Sequence, residues 1–260
     1  MQSETGNPDW RWFVRAGDLV FDVGANAGAK AALFLAQGAR VVCVEPQPAC
    51  VAALRRRFRR HRQVTIVGQG LAEKSGELEL SICSEADTIS TFSPQWKAGR
   101  FAGYKWDRVV RVPVSTLDEM IARHGVPAYC KVDVEGFEVA VLQGLTRPLP
   151  LLSFEFVKEF IDNAETCVRH LRRIGFERFN FALGENPRFV AQGWLDEAAL
   201  LRSIGRIQEA GFWGDIYAQH GGNLSGTPPS SSAEGQTGIA GRLKRLLSGQ
   251  PAGPGNSLTA

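Results

Sequence analysis

The stretch Asp18-Leu19-Val20-Phe21-Asp22-Val23-Gly24-Ala25-Asn26-Ala27-Gly28 constrains this chain most. A short apolar run, Leu19 to Phe21, ends in an acid and then in small residues. A run of helix formers follows, Ala29 to Ala36. This spacing predicts a buried strand, a tight turn and a helix. Glycines let the backbone approach a ligand closely and adopt dihedrals closed to other residues. The first helical turn also offers N–H groups with no partner inside the helix. A strand ending in this way marks the cofactor crevice of an α/β sheet.

The ligand class follows from what the turn lacks. The nicotinamide fingerprint is G-x-G-x-x-G. Here the order is D-x-G-x-N-x-G, with Gly24 and Gly28 as the only glycines. No Lys followed by Ser or Thr completes a phosphate-cradling loop. An acid at the strand tip suits a ligand with a cationic amino-acid end better than a pyrophosphate, which it would repel. S-adenosylmethionine has such an end. The next apolar run, Arg40 to Val44, ends at Glu45-Pro46. That is about 20 residues beyond the turn, the offset at which an acid can accept both ribose hydroxyls of a nucleotide.

Further elements repeat the alternation. Val64 to Val67 is a third strand, followed by Gly68-Gln69-Gly70-Leu71-Ala72 at the same end of the sheet. Glu77 to Ile82 alternates polar and apolar, as an edge strand or hairpin arm does. Val109 to Val114 is another strand, and Ser115 or Thr116 would cap a helix reaching His124. Between them, Ser84 to Asp107 is long and irregular and holds Thr91, Trp96, Tyr104 and Trp106, the composition of a substrate lid. Tyr129 to Glu138 then repeats the opening theme: an apolar strand, acids, a glycine and a helix through Leu145. Lys131, Asp133, Glu135 and Glu138 are costly near a core unless paired or used. Either Lys131 pairs with the helix acids Glu135 and Glu138, or the acids face the crevice of Asp22 and Glu45. Pro150 to Phe156 is a further strand carrying Glu155, and a helix runs from Asp162 to Ile174. Phe176 to Phe181 and Phe212 to Ala218 form a final antiparallel pair. The fold class is α/β, a doubly wound and mostly parallel sheet.

At 260 residues one domain is expected. Its bounds are 17–220, between a flanking segment, 1–16, and a low-complexity Gly/Ser/Pro tail, 221–260. The flank, with Trp10, Trp12 and Phe13, is read as a short helix over the domain edge. Within the tail, Ile239 to Leu247 can form an amphipathic helix. A net charge of +3 is too small to imply a nucleic-acid partner. Arg55 to Arg62 reads as a solvated helix end whose cations complement the dipole. Cys43, Cys50, Cys83, Cys130 and Cys167 show no CxxC spacing, so they are expected as reduced core residues of a cytoplasmic protein. No apolar run approaches the ~18 residues of a membrane span. Oligomeric state is not legible.

Taken together, Asp22-Val23-Gly24-Ala25-Asn26-Ala27-Gly28, Val44-Glu45-Pro46 and Lys131-Val132-Asp133-Val134-Glu135-Gly136-Phe137-Glu138 resemble the motif series of FkbM-type methyltransferases. The resemblance runs from about Leu19 to Ala218. It implies a class I S-adenosylmethionine-dependent methyltransferase with a seven-stranded sheet, of a kind linked to O-methylation of sugars and secondary metabolites. It also implies that Asp22, Gly24, Asn26 and Gly28 line the methionine end of the cofactor and that Glu45 holds the ribose. Gly70 and Leu71 would flank the adenine, although Gln69 to Glu73 match the family's Ala-Leu-Ser-Asp-like run loosely.

Methyl transfer to oxygen requires alignment of the acceptor and removal of its proton. Asp133 is the first candidate base and Glu135 the second, with Lys131 tuning either or neutralising a developing alkoxide. Asp133 and Glu155, at the tips of consecutive strands, could together hold a magnesium ion on a diol. With no third ligand apparent, transfer without a metal is the expectation. The acceptor is expected to be a small-molecule or glycan hydroxyl. Two rivals are a nicotinamide-dependent oxidoreductase and a cofactor-binding domain of the same fold without chemistry.

Overall fold

The computed structural model describes residues 13–98, 101–184 and 188–221. Trp10, Trp12 and residues 222–260 of the tail, with Ile239 to Leu247, lie outside the described residues. The first half contains β1 (Leu19–Val23), α1 (Ala29–Ala36), β2 (Arg40–Val44), α2 (Pro48–Arg57), β3 (Val64–Val67), β4 (Gly70–Leu71) and β5 (Gly76–Ile82). Next come α3 (Pro94–Ala98), β6 (Arg108–Ser115), α4 (Leu117–His124), β7 (Tyr129–Val132) and α5 (Glu138–Gln143). The chain continues through β8 (Leu151–Val157), α6 (Ile161–Arg173), β9 (Arg178–Leu183), α7 (Glu197–Gly205) and β10 (Trp213–Gln219).

The main sheet has seven strands in the order β3-β2-β1-β7-β8-β10-β9. Pairings from β3 through β8 are parallel, and only β10 runs against its neighbours β8 and β9. The doubly wound, mostly parallel sheet with an antiparallel final strand is therefore as expected. Strand order reverses between β1 and β7, so the crevice of the sheet opens above their carboxyl ends. Each strand alternates between two cores. Phe21, Val132 and Phe154 pack with Met120, Leu142 and Leu171 on one face. Val20, Val41 and Tyr129 pack with Phe34 of α1 and Leu54 of α2 on the other. Phe13 and Val14, assigned to the flanking segment in the sequence, are buried in that second core, and Phe13 meets Tyr129 at 4.6 Å between ring centroids.

β5 and β6 do not join the main sheet. They pair antiparallel to each other, and β4 pairs parallel with β6, giving a separate sheet in the order β4-β6-β5. Only one face of this sheet finds a core: Leu80, Ile82 and Val112 cluster while Glu77, Glu79 and Arg111 stay in solvent. Thr116 caps α4 by accepting from the Glu119 N–H at 3.1 Å. Helix α7, capped by Asp196, was not legible as a helix. All five cysteines are buried and free. Among the described residues no helix is long and apolar enough to cross a membrane.

Candidate functional site

The glycine turn is stitched to both neighbouring strands. Gly24 N–H donates to the Val44 carbonyl at 2.9 Å, and Asp133 N–H donates to the Val23 carbonyl at 2.9 Å. Gly24 has φ +82°, and a Cβ there would lie 1.7 Å from the Asp133 carbonyl oxygen. Asn26, at φ 46°, is in the left-handed region that Asn tolerates. Gly28 precedes α1 at φ +80°, and a Cβ there would strike the Phe58 ring at 2.5 Å. Backbone, not side chains, therefore forms this corner of the site.

Glu45 joins the turn to the next helix. Its Oε2 accepts from the Asn26 N–H and its Oε1 from the Gln47 N–H, each at 2.8 Å. The residue is only 2% exposed. Burial pushes its carboxyl up to about 7, although both N–H groups pull the other way. Asp22 lies in β1 beneath the turn, also buried, and among the described residues its Oδ2 has no hydrogen-bond partner. Burial pushes it up to about 6, with the Lys131 charge opposing and the Asp133 charge adding.

Lys131 stands beside Asp22 in the register of β1 and β7. Its Nζ is 2.5 Å from Asp133 Oδ2, and its side chain is 3% exposed. Burial alone would favour its neutral form, but Asp133 and Asp215 overcome this and hold its pKa well above the usual lysine value. Of the partners open to Lys131 in the sequence, its ion pair forms with Asp133 and not with the helix acids Glu135 and Glu138. Glu138 serves the backbone instead: its Oε1 accepts from Val134 and Gly136 N–H groups at 3.2 Å each. Burial pushes its carboxyl up to about 7. Glu135 has φ 55°, a strained conformation for a non-glycine residue. Thr91 Oγ1 holds its carbonyl at 2.6 Å.

These two turns floor a cavity of about 400 Å³, within the usual range for a small-molecule site. Of the residues singled out in the sequence, Gly24, Asn26, Glu45, Gly70, Leu71, Asp133 and Glu135 line it. Asp22, Gly28 and Lys131 stand behind the wall rather than in it. Gly70 and Leu71 form the short strand β4 rather than a loop. The wall also holds Gln47, Gln69 and Trp213, which the sequence did not single out. Gln47 had one signal, its place two residues after Glu45; Trp213 had none, because only the folded order brings β10 beside β8.

The segment between β5 and β6 covers the cavity with Phe92, Trp96, Phe101 and Tyr104. Trp96 lies on Gly136, where a Cβ would come within 2.6 Å of the ring. Phe160 stacks on it at 5.7 Å, and Phe101 packs at 4.9 Å. The lid is therefore seated on the strained turn. At the floor, carboxylate oxygens of Asp133, Glu135 and Glu155 all lie within 4.8 Å of one another. Glu135 is the third carboxylate that the sequence alone left unseen at this point. Burial, then the charges of Asp133, Glu135 and Glu138, raise the Glu155 pKa well above the usual carboxylate range.

The family profile described as "Methyltransferase FkbM domain" matches residues 22–182. The chain is similar to the 31-O-demethyl-FK506 methyltransferase FkbM of Streptomyces tacrolimicus, with 31% identity over 162 residues. That match spans 51% of this chain and 61% of the relative, so this chain covers less than two thirds of the relative's length. Among solved structures, a methyltransferase FkbM from Methylobacillus flagellatus KT aligns with 16% identity and a TM-score of 0.44, over 78% of this chain and 43% of its own. A precorrin-6y C5,15-methyltransferase from Geobacter metallireducens GS-15 aligns with 12% identity and a TM-score of 0.45, over 81% and 85%. With the profile covering more than half of its length, this chain belongs to the FkbM methyltransferase domain family.

Proposed function

We propose that the protein is an S-adenosylmethionine-dependent methyltransferase that methylates a hydroxyl of a sugar, glycan or secondary metabolite. The observation that carries this reading is the cavity where β1, β2, β7 and β8 end, walled by Glu45 on one side and three carboxylates on the other. The residues fit the cofactor. Gly24, in the wall, permits close backbone approach, the missing Cβ of Gly28 makes room behind it for Phe58, and the Asp22 carboxylate places negative charge beneath the turn where a cationic amino-acid end would lie. Glu45 keeps lone pairs free for ribose hydroxyls beside the two backbone N–H groups it accepts. Gly70 and Leu71 flank the remaining wall as the adenine contacts.

When bound, the cofactor supplies an activated methyl group. The chain's part is to align the acceptor and relieve it of a proton. Asp133 and Glu135 face the cavity and accept hydrogen bonds from the acceptor's hydroxyls, while Lys131, behind the wall, stabilises negative charge at Asp133. Aromatic lid residues over carboxylates suit a polyhydroxylated ligand, whose C–H faces pack on rings and whose hydroxyls donate to acids. The name of the curated relative, an O-demethyl compound's methyltransferase, supports oxygen as the acceptor atom. The buried Lys131 ammonium already places a cation beside Asp133, which supports transfer without a metal.

The test is calorimetry with S-adenosylmethionine and with NAD, followed by labelled methyl transfer into cell extract read by mass spectrometry. We expect S-adenosylmethionine to bind, NAD not to bind, and transfer to survive a strong chelator. Asp133→Asn should lower turnover by about 10²-fold or more while changing cofactor affinity little. NAD binding would favour the oxidoreductase, and binding without transfer would favour a domain that has lost its chemistry. Loss of transfer on chelation would install a metal at the carboxylates.

A further inference from the structure

The three floor carboxylates are not equivalent. Asp133 Oδ2 is committed to Lys131 at 2.5 Å. Glu135 is fixed through its backbone in a left-handed conformation, its carbonyl held by Thr91. Glu155 is different: among the described residues its carboxylate makes no hydrogen bond and no ion pair. It sits on the rigid strand β8, one residue beyond the pair Val132 and Phe154 and opposite Asp215 of β10. It lines the cavity.

Resting on the function proposed above, we propose that Glu155 is the residue that takes the proton from the acceptor hydroxyl, and that the cofactor's sulfonium charge readies it by driving off the proton it holds at rest. In the transfer, an electron pair of the hydroxyl oxygen forms the new O–CH3 bond as the C–S pair leaves with sulfur. The hydroxyl proton passes to a Glu155 carboxylate oxygen. Asp133, fixed by Lys131, then acts as a positioning residue.

The charges around Glu155 explain why it can do this. Asp133 and Glu135 of the turn after β7 and Glu138 of α5 surround it with negative charge, and Asp215 is its register partner on β10. Lys131 is the opposing cation. The Cys167 thiol of α6, which shares a small cavity with Glu155, is pushed far above the usual range by burial and remains neutral. With acids on several sides and one lysine, the resting site retains a proton, and the least-partnered carboxylate is the group to hold it. A second cation entering the same cavity shifts that balance toward the carboxylate form, which is the form able to act as base.

S-adenosylmethionine and S-adenosylhomocysteine separate this effect from every other contact. They share ribose, adenine and amino-acid groups and differ in the sulfonium methyl. Protons released on binding are counted by calorimetry in buffers of differing ionisation enthalpy. We expect the wild-type protein to release more protons, up to about one, with S-adenosylmethionine than with S-adenosylhomocysteine. Glu155→Gln should abolish that difference, while Glu155→Asp retains it. In labelled transfer into extract, Glu155→Gln should lower the rate by about 10²-fold or more and flatten its fall toward low pH. Equal proton release for the two ligands in the wild type, or an unchanged difference in Glu155→Gln, overturns the inference. A wild-type protein that binds neither ligand overturns the functional reading itself, a separable result.

Discussion

The carbonyl oxygen of Asp133 lies 1.7 Å from the point a Cβ on residue 24 would occupy. The glycine turn after β1 and the acid turn after β7 therefore touch through backbone, and the touching residue carries one of the floor carboxylates. Gly24→Ala cannot be accommodated without moving Asp133. We expect it to cost about 3 kcal/mol or more in stability, measured by chemical denaturation, because a backbone clash adds to an unfavourable φ. Gly17→Ala is the control. Gly17 has φ +88° but nothing within 4 Å of its would-be Cβ. Its cost should be only the roughly 1–2 kcal/mol of the left-handed backbone. Equal costs at the two positions would mean that the contact between the turns is unimportant.

Thr91 ties the lid to the strained turn. Its Oγ1 donates to the Glu135 carbonyl at 2.6 Å and accepts from the Ser93 N–H at 2.8 Å. Thr91→Val keeps the shape and strands both backbone groups. The cost should be about 1–3 kcal/mol, the range for buried groups left unsatisfied. The acceptor end of the cavity should suffer more than the cofactor end, because Glu135 and Trp96 lie there while Glu45 is held by Asn26 and Gln47. The expected signature is a several-fold slower methyl transfer with an unchanged calorimetric Kd for S-adenosylmethionine. A weakened Kd of equal size would show that the lid serves the cofactor instead.

Legibility in the sequence followed the range of the contacts. The strand, turn and helix around Gly24 and the strand ending at Glu45 were readable because each is local, set by period and by small residues. The mostly parallel sheet and its antiparallel final pair followed from the alternation of elements. Pairings between distant segments were harder. β5 and β6 alternate like any edge strands, and nothing local says that they form their own sheet. Helix α7 is short, nine residues, and its cap Asp196 follows no apolar run that would announce it. At the site, Lys131 had two partner readings because sequence spacing cannot tell which acid its Nζ reaches; folding selects Asp133. Glu155 was visible as an acid on a strand, but its lack of a partner is a property of three elements meeting.

Glu45 carries the pH dependence of cofactor affinity. Its carboxyl sits at about 7 because burial penalises the charged form more than the Asn26 and Gln47 N–H groups repay it. Below that pH the folded protein holds the proton; above it the carboxylate is free to accept from a ribose. Ribose hydroxyls would add two donors to the charged form and pull the pKa down on binding. Affinity should therefore rise with pH, by up to about tenfold per unit below 7, and level off above it. S-adenosylhomocysteine is the ligand of choice, since it keeps the ribose and lacks the sulfonium charge that acts at Glu155. Stability of the empty protein should move the opposite way. A carboxyl whose pKa is raised on folding contributes stability below its unfolded value near 4.5, and that contribution is lost as pH rises through about 7. Glu45→Gln should flatten both trends, and it should weaken binding at pH 8 because one backbone N–H then faces an amide NH2. Calorimetric titration of S-adenosylhomocysteine from pH 5.5 to 8.5, with melting curves over the same range, measures the two together. An affinity independent of pH across that interval would remove Glu45 from the ribose.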